Sequence, residues 1–242
     1  MLNFGTWDHS NIMTQTPFYT KLKKRGKIVV SGVDRIDFLQ SLISNDVTLL
    51  DQQDCVYSCL LTPQGKFIYD FFITEINGDS LLMDCEGGER LQSLAKLLGM
   101  YKLRADVTIE LQDNSDVYAI IGAKYGTKDP RHPDMGYRSF EKPDGLEEKP
   151  FEEWDMHRIS LTIPDGSRDM IPNKSTLSEG NIDKLNGLSY EKGCYIGQEL
   201  TARMHYRGLA KKHLQTIKLD ALPEKSELRS SCGDIGIVLV RI

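Results

Sequence analysis

Apolar residues along this chain follow two periods, one of two residues and one of three to four, and the chain switches between them repeatedly. Lys27 to Ser31 is a short β-branched run that reads as a strand. Asp34 is the expected N-cap of a helix from Arg35 to about Ser44, where Ile36, Leu39, Leu42 and Ile43 recur on one face. Strands at 55–62 and 67–74 follow, joined by Pro63-Gln64-Gly65-Lys66, whose composition is that of a turn. Asn77-Gly78-Asp79 turns the chain into a strand over 80–85. A second helix from Glu89 to Leu98 gathers Leu91, Leu94, Leu97 and Leu98, with Gly99 as its expected stop. Strands at 106–111 and 117–121 close this stretch.

Residues 126–150 change to Gly, Pro and charge and read as a loop or linker. Beyond them, Phe151 to Leu161 is helical, with Trp154, His157 and Arg158, and 164–190 is irregular. A helix over about 197–206 precedes a basic strand, 211–219, and a final strand, 235–241. This order lacks the regular alternation of a parallel sheet and predicts an α+β unit of split βαβ type.

Composition narrows the class. At 242 residues the chain is long enough for one large or two modest domains. A net charge of -5 gives no whole-protein drive toward nucleic acid or an anionic membrane. The run Lys21, Lys23, Lys24, Arg25, Lys27 is local and reads as a solvated approach to a strand. No apolar run reaches the roughly 20 residues of a membrane helix. Met1 to Tyr19 holds Asp8 and His9 and no secretory apolar core, so a cytosolic protein is expected; a monomer is the expected state.

The five cysteines (55, 59, 85, 194, 232) are odd in number and include no CxxC, which argues against a disulfide framework. Cys55 and Cys59 fall four apart on a strand, about 13 Å from each other, too far to share a zinc ion with bonds of about 2.3 Å. No metal site built by this chain alone is expected.

The densest chemistry lies in Lys192-Gly193-Cys194-Tyr195-Ile196-Gly197-Gln198-Glu199. Lys192 and the exposed N–H groups of the following helix start would favour thiolate at Cys194. The glycines permit positive φ and close approach of a ligand. A single cysteine is more often a small buried hydrophobe; eight consecutive residues of this kind point to a site.

This octapeptide resembles the signature of the YgfZ/GcvT family of folate-binding proteins, in particular the YgfZ branch associated with iron–sulfur cluster assembly or repair. Other segments resemble the family in the same order: Gly32 to Arg35 with Phe38-Leu39-Gln40 and Ser44 to Val47, Leu61 to Lys66 through Asp70-Phe71, Arg158-Ile159, Ile163-Pro164 and Ile171-Pro172. The resemblance implies an α+β, GcvT-like aminomethyltransferase fold of two related halves, 1–125 and 151–208, around a folate-sized cavity. Residues 126–150 would link the halves, and 209–242 would form a shortened remnant of the C-terminal β-barrel.

The resemblance also implies roles. Asp70 falls where aminomethyltransferases keep an aspartate at the reacting nitrogen of tetrahydrofolate, and burial between aromatics would raise its pKa toward general-base range. Lys192 falls near a basic residue that serves the folate; Asn45, Tyr101 and Arg203 are further pocket candidates, each of which could equally be a turn, a core edge or a surface charge. Ser160 stands where aminomethyltransferases carry a pterin-holding glutamate, which implies weak folate binding. Three functions compete: a folate-dependent accessory factor for iron–sulfur enzymes or assembly proteins acting through Cys194 and Lys192, an aminomethyltransferase, and a folate-free scaffold. Aminomethyl transfer needs acid–base and positioning groups but no thiol, which favours the first over the second.

Overall fold

The computed structural model describes residues 16–112 and 116–241; the first fifteen residues, on which part of the cytosolic expectation rests, lie outside the described residues. Three sheets make up the framework. The first runs in the order β3 (Val56–Leu61), β4 (Phe67–Ile76), β5 (Ser80–Glu86), β2 (Arg25–Ser31), β6 (Thr108–Gln112), antiparallel throughout. On one face Ile28, Val30, Phe71, Ile73 and Met83 pack against α1 (Arg35–Gln40) and α2 (Glu89–Lys102), which contribute Phe38, Leu39, Leu91, Leu94 and Leu98. The opposite face belongs to a second core, with Tyr57, Cys59, Leu61, Phe67 and Phe72. Burial on both faces explains why residues 55–61 are apolar at every position but Ser58: all of β3 is buried.

The second sheet has the order β10 (Glu147–Glu148), β1 (Phe18–Lys21), β7 (Tyr118–Ile121), β9 (Tyr137–Ser139), β8 (Thr127–Lys128). Residues 126–150, expected as a loop or linker, thus supply three of its strands. Each is two or three residues long, too short to carry a period of its own. A Cβ on Gly136 (φ 78°) would collide with the carbonyl oxygen of Ile120, so a residue that signals a loop is here a close sheet contact.

The third sheet, β11 (Lys212–Lys218), β13 (Ile235–Arg241) and β12 (Glu227–Cys232), is antiparallel and forms no closed barrel. The sequence gives no apolar signal for β12 because it is largely solvent-facing and bulged between Leu228 and Ser230. Ile235, Ile237 and Leu239 join the second core, beside Trp154 and Ile159 of α3 (Phe151–Ser160). The last helix, α4 (Gln198–Tyr206), follows the Cys194 loop.

Two expected helix signals act differently. The Asp34 side chain does not cap α1; it accepts the Asp106 N–H at 2.7 Å and ties α1 to the approach of β6. Gly99 does not stop α2, which continues to Lys102 and ends where Leu103 adopts φ 45°. Burial of Leu91, Leu94 and Leu98 holds this helix through a residue of poor propensity.

Buried cations join the modules. Arg25 on β2 donates through Nε to Asp84 on β5 at 2.7 Å, and Arg138 on β9 reaches the other oxygen of the same carboxylate across the two sheets. Arg131 pairs with Asp129 at 2.8 Å. The guanidiniums of Arg138, Arg131 and Arg25 lie 3.8, 4.7 and 5.8 Å from the centre of the Phe72 ring. Arg158, fully buried on α3, binds Asp155 at 2.7 Å, Asp169 at 2.6 Å and Ser230 of β12 at 2.9 Å.

Burial pushes the Asp84 carboxyl up, and Arg138 with Arg25 outweighs it, holding the group below its usual 3.8. A depressed carboxyl contributes stability that is present above 3.8 and lost as pH falls through the folded-state value. Asp84→Asn is expected to cost about 3–5 kcal/mol at neutral pH by leaving two buried guanidiniums short of a partner. In urea unfolding the gap between wild type and variant should narrow below pH 4, on the order of the carboxyl's own pKa; a gap independent of pH would contradict this assignment.

Candidate functional site

The Cys194 loop is built on two neighbours. Gly197 (φ 83°) begins α4, and a Cβ there would stand 2.6 Å from the Thr62 carbonyl oxygen and 3.0 Å from the Gly65 Cα, so the turn after β3 interlocks with the loop. Tyr190 stacks on His205 in the last turn of α4, ring centres 3.9 Å apart. The segment from Tyr190 to Gly197 therefore runs alongside α4, anchored at both ends. Cys194 is exposed between these anchors. A Cβ on Gly193 would meet no atom within 4 Å, so the backbone beside the thiol is open to an approaching partner.

The remaining cysteines differ. Cys55, Cys59 and Cys85 are buried, and burial pushes each thiol up. Cys232 is half-buried and donates its S–H to the Glu152 carbonyl at 3.4 Å. Among the described residues no three His, Cys, Asp or Glu are grouped to hold a metal ion.

Lys192 points into the protein. Its Nζ donates to the carbonyls of Gln40, Ile43 and Asn45 at 2.7, 2.8 and 2.8 Å. An ammonium has three N–H donors, so all of them are engaged at the C-terminal end of α1 and the turn after it. Burial lowers its pKa to about 8, opposed by Asp46. Lys192 brings Asn45 to the loop, but through the Asn45 carbonyl. The Asn45 side chain donates to Tyr57 and Asn186 carbonyls at 2.9 and 2.7 Å. It borders a cleft of about 720 Å³ that Lys128, His132, Asn186, Tyr190 and Glu191 also line.

Asp70 belongs to a separate place. It lies on β4, 5% exposed, and accepts the Tyr57 hydroxyl at 3.0 Å. Burial raises its pKa, opposed by Arg25 and Arg131. Gly166 closes over it so tightly that a Cβ would stand 3.0 Å from its Oδ1. With Arg131 and Arg138 stacked on Phe72, the cavity left beside Asp70 measures about 20 Å³. Ligand sites run to about 300–1,000 Å³. A neighbouring opening of about 410 Å³, along Lys23, Lys24, Glu86 and Arg168, is not lined by Asp70. The cavity that Asp70 itself lines is therefore smaller than a ligand site, and it shares Lys23, Arg25, Phe151 and Asp165 with the larger opening.

The other candidates stand apart from both places. Tyr101 packs at the edge of the first core from α2, and Arg203 pairs with Glu199 at 2.7 Å on exposed α4. Ser160 is buried, donates to the His157 carbonyl at 2.6 Å and lines none of the three cavities described. Sequence reasoning missed Arg131 and Arg138, which lie in the segment taken for a linker. The one signal there was a density of charge between glycines and prolines.

Residues 18–124 match the model of the GCVT N-terminal domain. A solved aminomethyltransferase T of the glycine cleavage system, from Bartonella henselae, superposes with a TM-score of 0.72 over 96% of this chain and 80% of its own, at 11% identity. That likeness shows the fold. In sequence, the chain is 30% identical to the mitochondrial iron–sulfur cluster assembly factor IBA57 of Mus musculus over 275 residues, 91% of this chain and 76% of that protein. The chain belongs to the IBA57 family. It is also 32% identical to the IBA57 homolog of Mycosarcoma maydis over 251 residues, 87% of this chain, and spans 60% of that relative's length. Both IBA57 relatives are named as mitochondrial, which overturns the cytosolic expectation. Lack of a secretory apolar core carries no information here, because mitochondrial targeting segments are amphipathic and Arg-rich rather than apolar.

Two outcomes test the site. Titration calorimetry with tetrahydrofolate should give no binding heat that depends on Asp70, and saturable binding abolished by Asp70→Asn would restore the folate pocket there. Lys192→Met should destabilise the fold by about 3 kcal/mol, since three carbonyls lose a charged donor. An unchanged melting temperature in this variant would mean that Lys192 is not the clamp described.

Proposed function

We propose that this chain is an accessory factor in iron–sulfur cluster assembly that acts through the exposed thiol of Cys194. The observation that carries the reading is the contrast among the cysteines: one stands exposed on a loop anchored at both ends, beside open backbone, while three are buried. Membership in the IBA57 family, whose named relatives are iron–sulfur cluster assembly factors, supports the same assignment and a mitochondrial setting.

Iron–sulfur clusters are held by several cysteine sulfurs, and Cys194 offers one. The cluster is therefore cargo carried by a partner protein, and Cys194 meets it as a single sulfur ligand. Lys192 supports this role by fixing the loop to α1 rather than by touching the cargo. Tetrahydrofolate is left out of this reading, because the space that Asp70 lines is small and Gly166 and Tyr57 crowd its carboxylate. Aminomethyl transfer is disfavoured for the same reason: reacting atoms must be held about 3–3.5 Å apart, and the space that Asp70 lines is only about 20 Å³.

Cys194→Ser should keep unfolding free energy within about 1 kcal/mol of wild type, as an exposed position allows. In cells lacking the factor it should fail to restore iron–sulfur enzyme activity, while glycine breakdown is unaffected throughout. Full rescue by this variant would overturn the thiol reading, and methylene-folate production by the purified protein would favour the transferase.

A further inference from the structure

The stretch that follows the Cys194 loop has a charge opposite to that of the protein, while Glu191 and Glu199 are the exposed acidic residues on either side of the thiol. Between Leu200 and Leu219 the sequence holds Arg203, Arg207, Lys211, Lys212 and Lys218 and no Asp or Glu. The whole chain stands at -5, so everything outside this stretch stands at -10. Arg203, Arg207, Lys211 and Lys212 are all exposed. Glu199 faces Arg203 at 2.7 Å and Glu227 faces Lys212 at 3.3 Å. Arg207 and Lys211 have no carboxylate partner among the described residues.

Apolar side chains lie among these charges. Tyr206 is 73% exposed and Leu209 45%. Their positions are fixed by the end of α4: Gly208 (φ 58°) donates to His205 and Leu209 donates to Met204, at 3.2 and 3.0 Å. This is the Schellman pattern, which sets the backbone of the turn and hence the directions in which Arg207 and Leu209 leave it. The Tyr190–His205 stack, with Tyr206 edge-on to His205 at 5.1 Å, joins the same patch to the loop of Cys194. Cys194 lies four positions after Tyr190, a reach of at most about 14 Å.

We propose that Arg203, Tyr206, Arg207, Leu209 and Lys211 form a docking face for an acidic protein, seating it so that its cluster-bearing side meets Cys194. This rests on the function proposed above and adds the surface and the charge of the partner. Exposed tyrosine and arginine on a pre-set backbone are the residue types that dominate protein–protein contacts. Nucleic acid is disfavoured because the face is small and the rest of the chain would repel phosphates. A membrane surface would require a helix with a broad exposed apolar side, whereas α4 presents mainly charge outward.

The test uses the full chain with Arg207→Glu and Lys211→Glu combined, and separately Tyr206→Ala. The probes are the acidic cluster-carrying proteins of the assembly machinery, each purified with its cluster. The readout is protection of Cys194 from iodoacetamide as the carrier is titrated in. Both variants should alkylate like wild type without carrier, which reports an intact loop. A carrier should protect wild-type Cys194, less so as salt rises, and the charge reversal should slow association at least about tenfold. Equal protection of wild type and both variants, or protection by no carrier, would overturn the docking face. Binding to duplex RNA or to cardiolipin vesicles, lost in the charge reversal, would overturn it in favour of those ligands. Failure of Cys194→Ser to impair function would instead sink the thiol reading, so the two failures are distinguishable.

Discussion

Three guanidiniums gather around the ring of Phe72, and the arrangement of the two large sheets depends on them. Arg25 and Asp84 belong to the first sheet, Arg138 to the second, and Arg131 with Asp129 to the segment between β8 and β9. Buried charge of this kind is stable only when every partner is present. The cluster therefore fixes the relative position of the sheets while filling the space between them. Its consequence for function is direct: the guanidiniums and the closure of Gly166 leave about 20 Å³ beside Asp70.

Similar cation clamps recur at the other junctions. Arg158 ties α3 to the Asp169 turn and to β12, and Lys192 ties the Cys194 loop to the end of α1. In each case a long side chain crosses between segments far apart in sequence and satisfies backbone or carboxylate oxygens that would otherwise be buried alone. The space beside Asp70 is packed with the protein's own charges, and the thiol that stands exposed is that of Cys194 on a braced loop.

The loop's exposure and its bracing are complementary. Anchors at Tyr190 and Gly197 hold the backbone, and nothing stands over Gly193, so a partner can reach the thiol without rearranging the fold.

Helices and longer strands were legible in the sequence because their signals are local: the leucines of α2, the apolar runs and turn chemistry of β3 to β5, and the apolar run of β13 are each complete within a few residues. The Cys194 octapeptide was legible as a site because its residue types are unusual together. The partners of Lys192 and Asp70 were not legible. An unpaired lysine beside a cysteine looks the same whether it faces the thiol or turns away to three carbonyls some 150 residues earlier. An aspartate on a strand looks the same whether it faces a cavity or lies sealed under a glycine. Strands of two or three residues, such as β8 to β10, carry no period, and long-range pairing alone defines them. Sequence determined what could be buried and what could react; packing between distant segments decided which of those groups remained within reach of a partner.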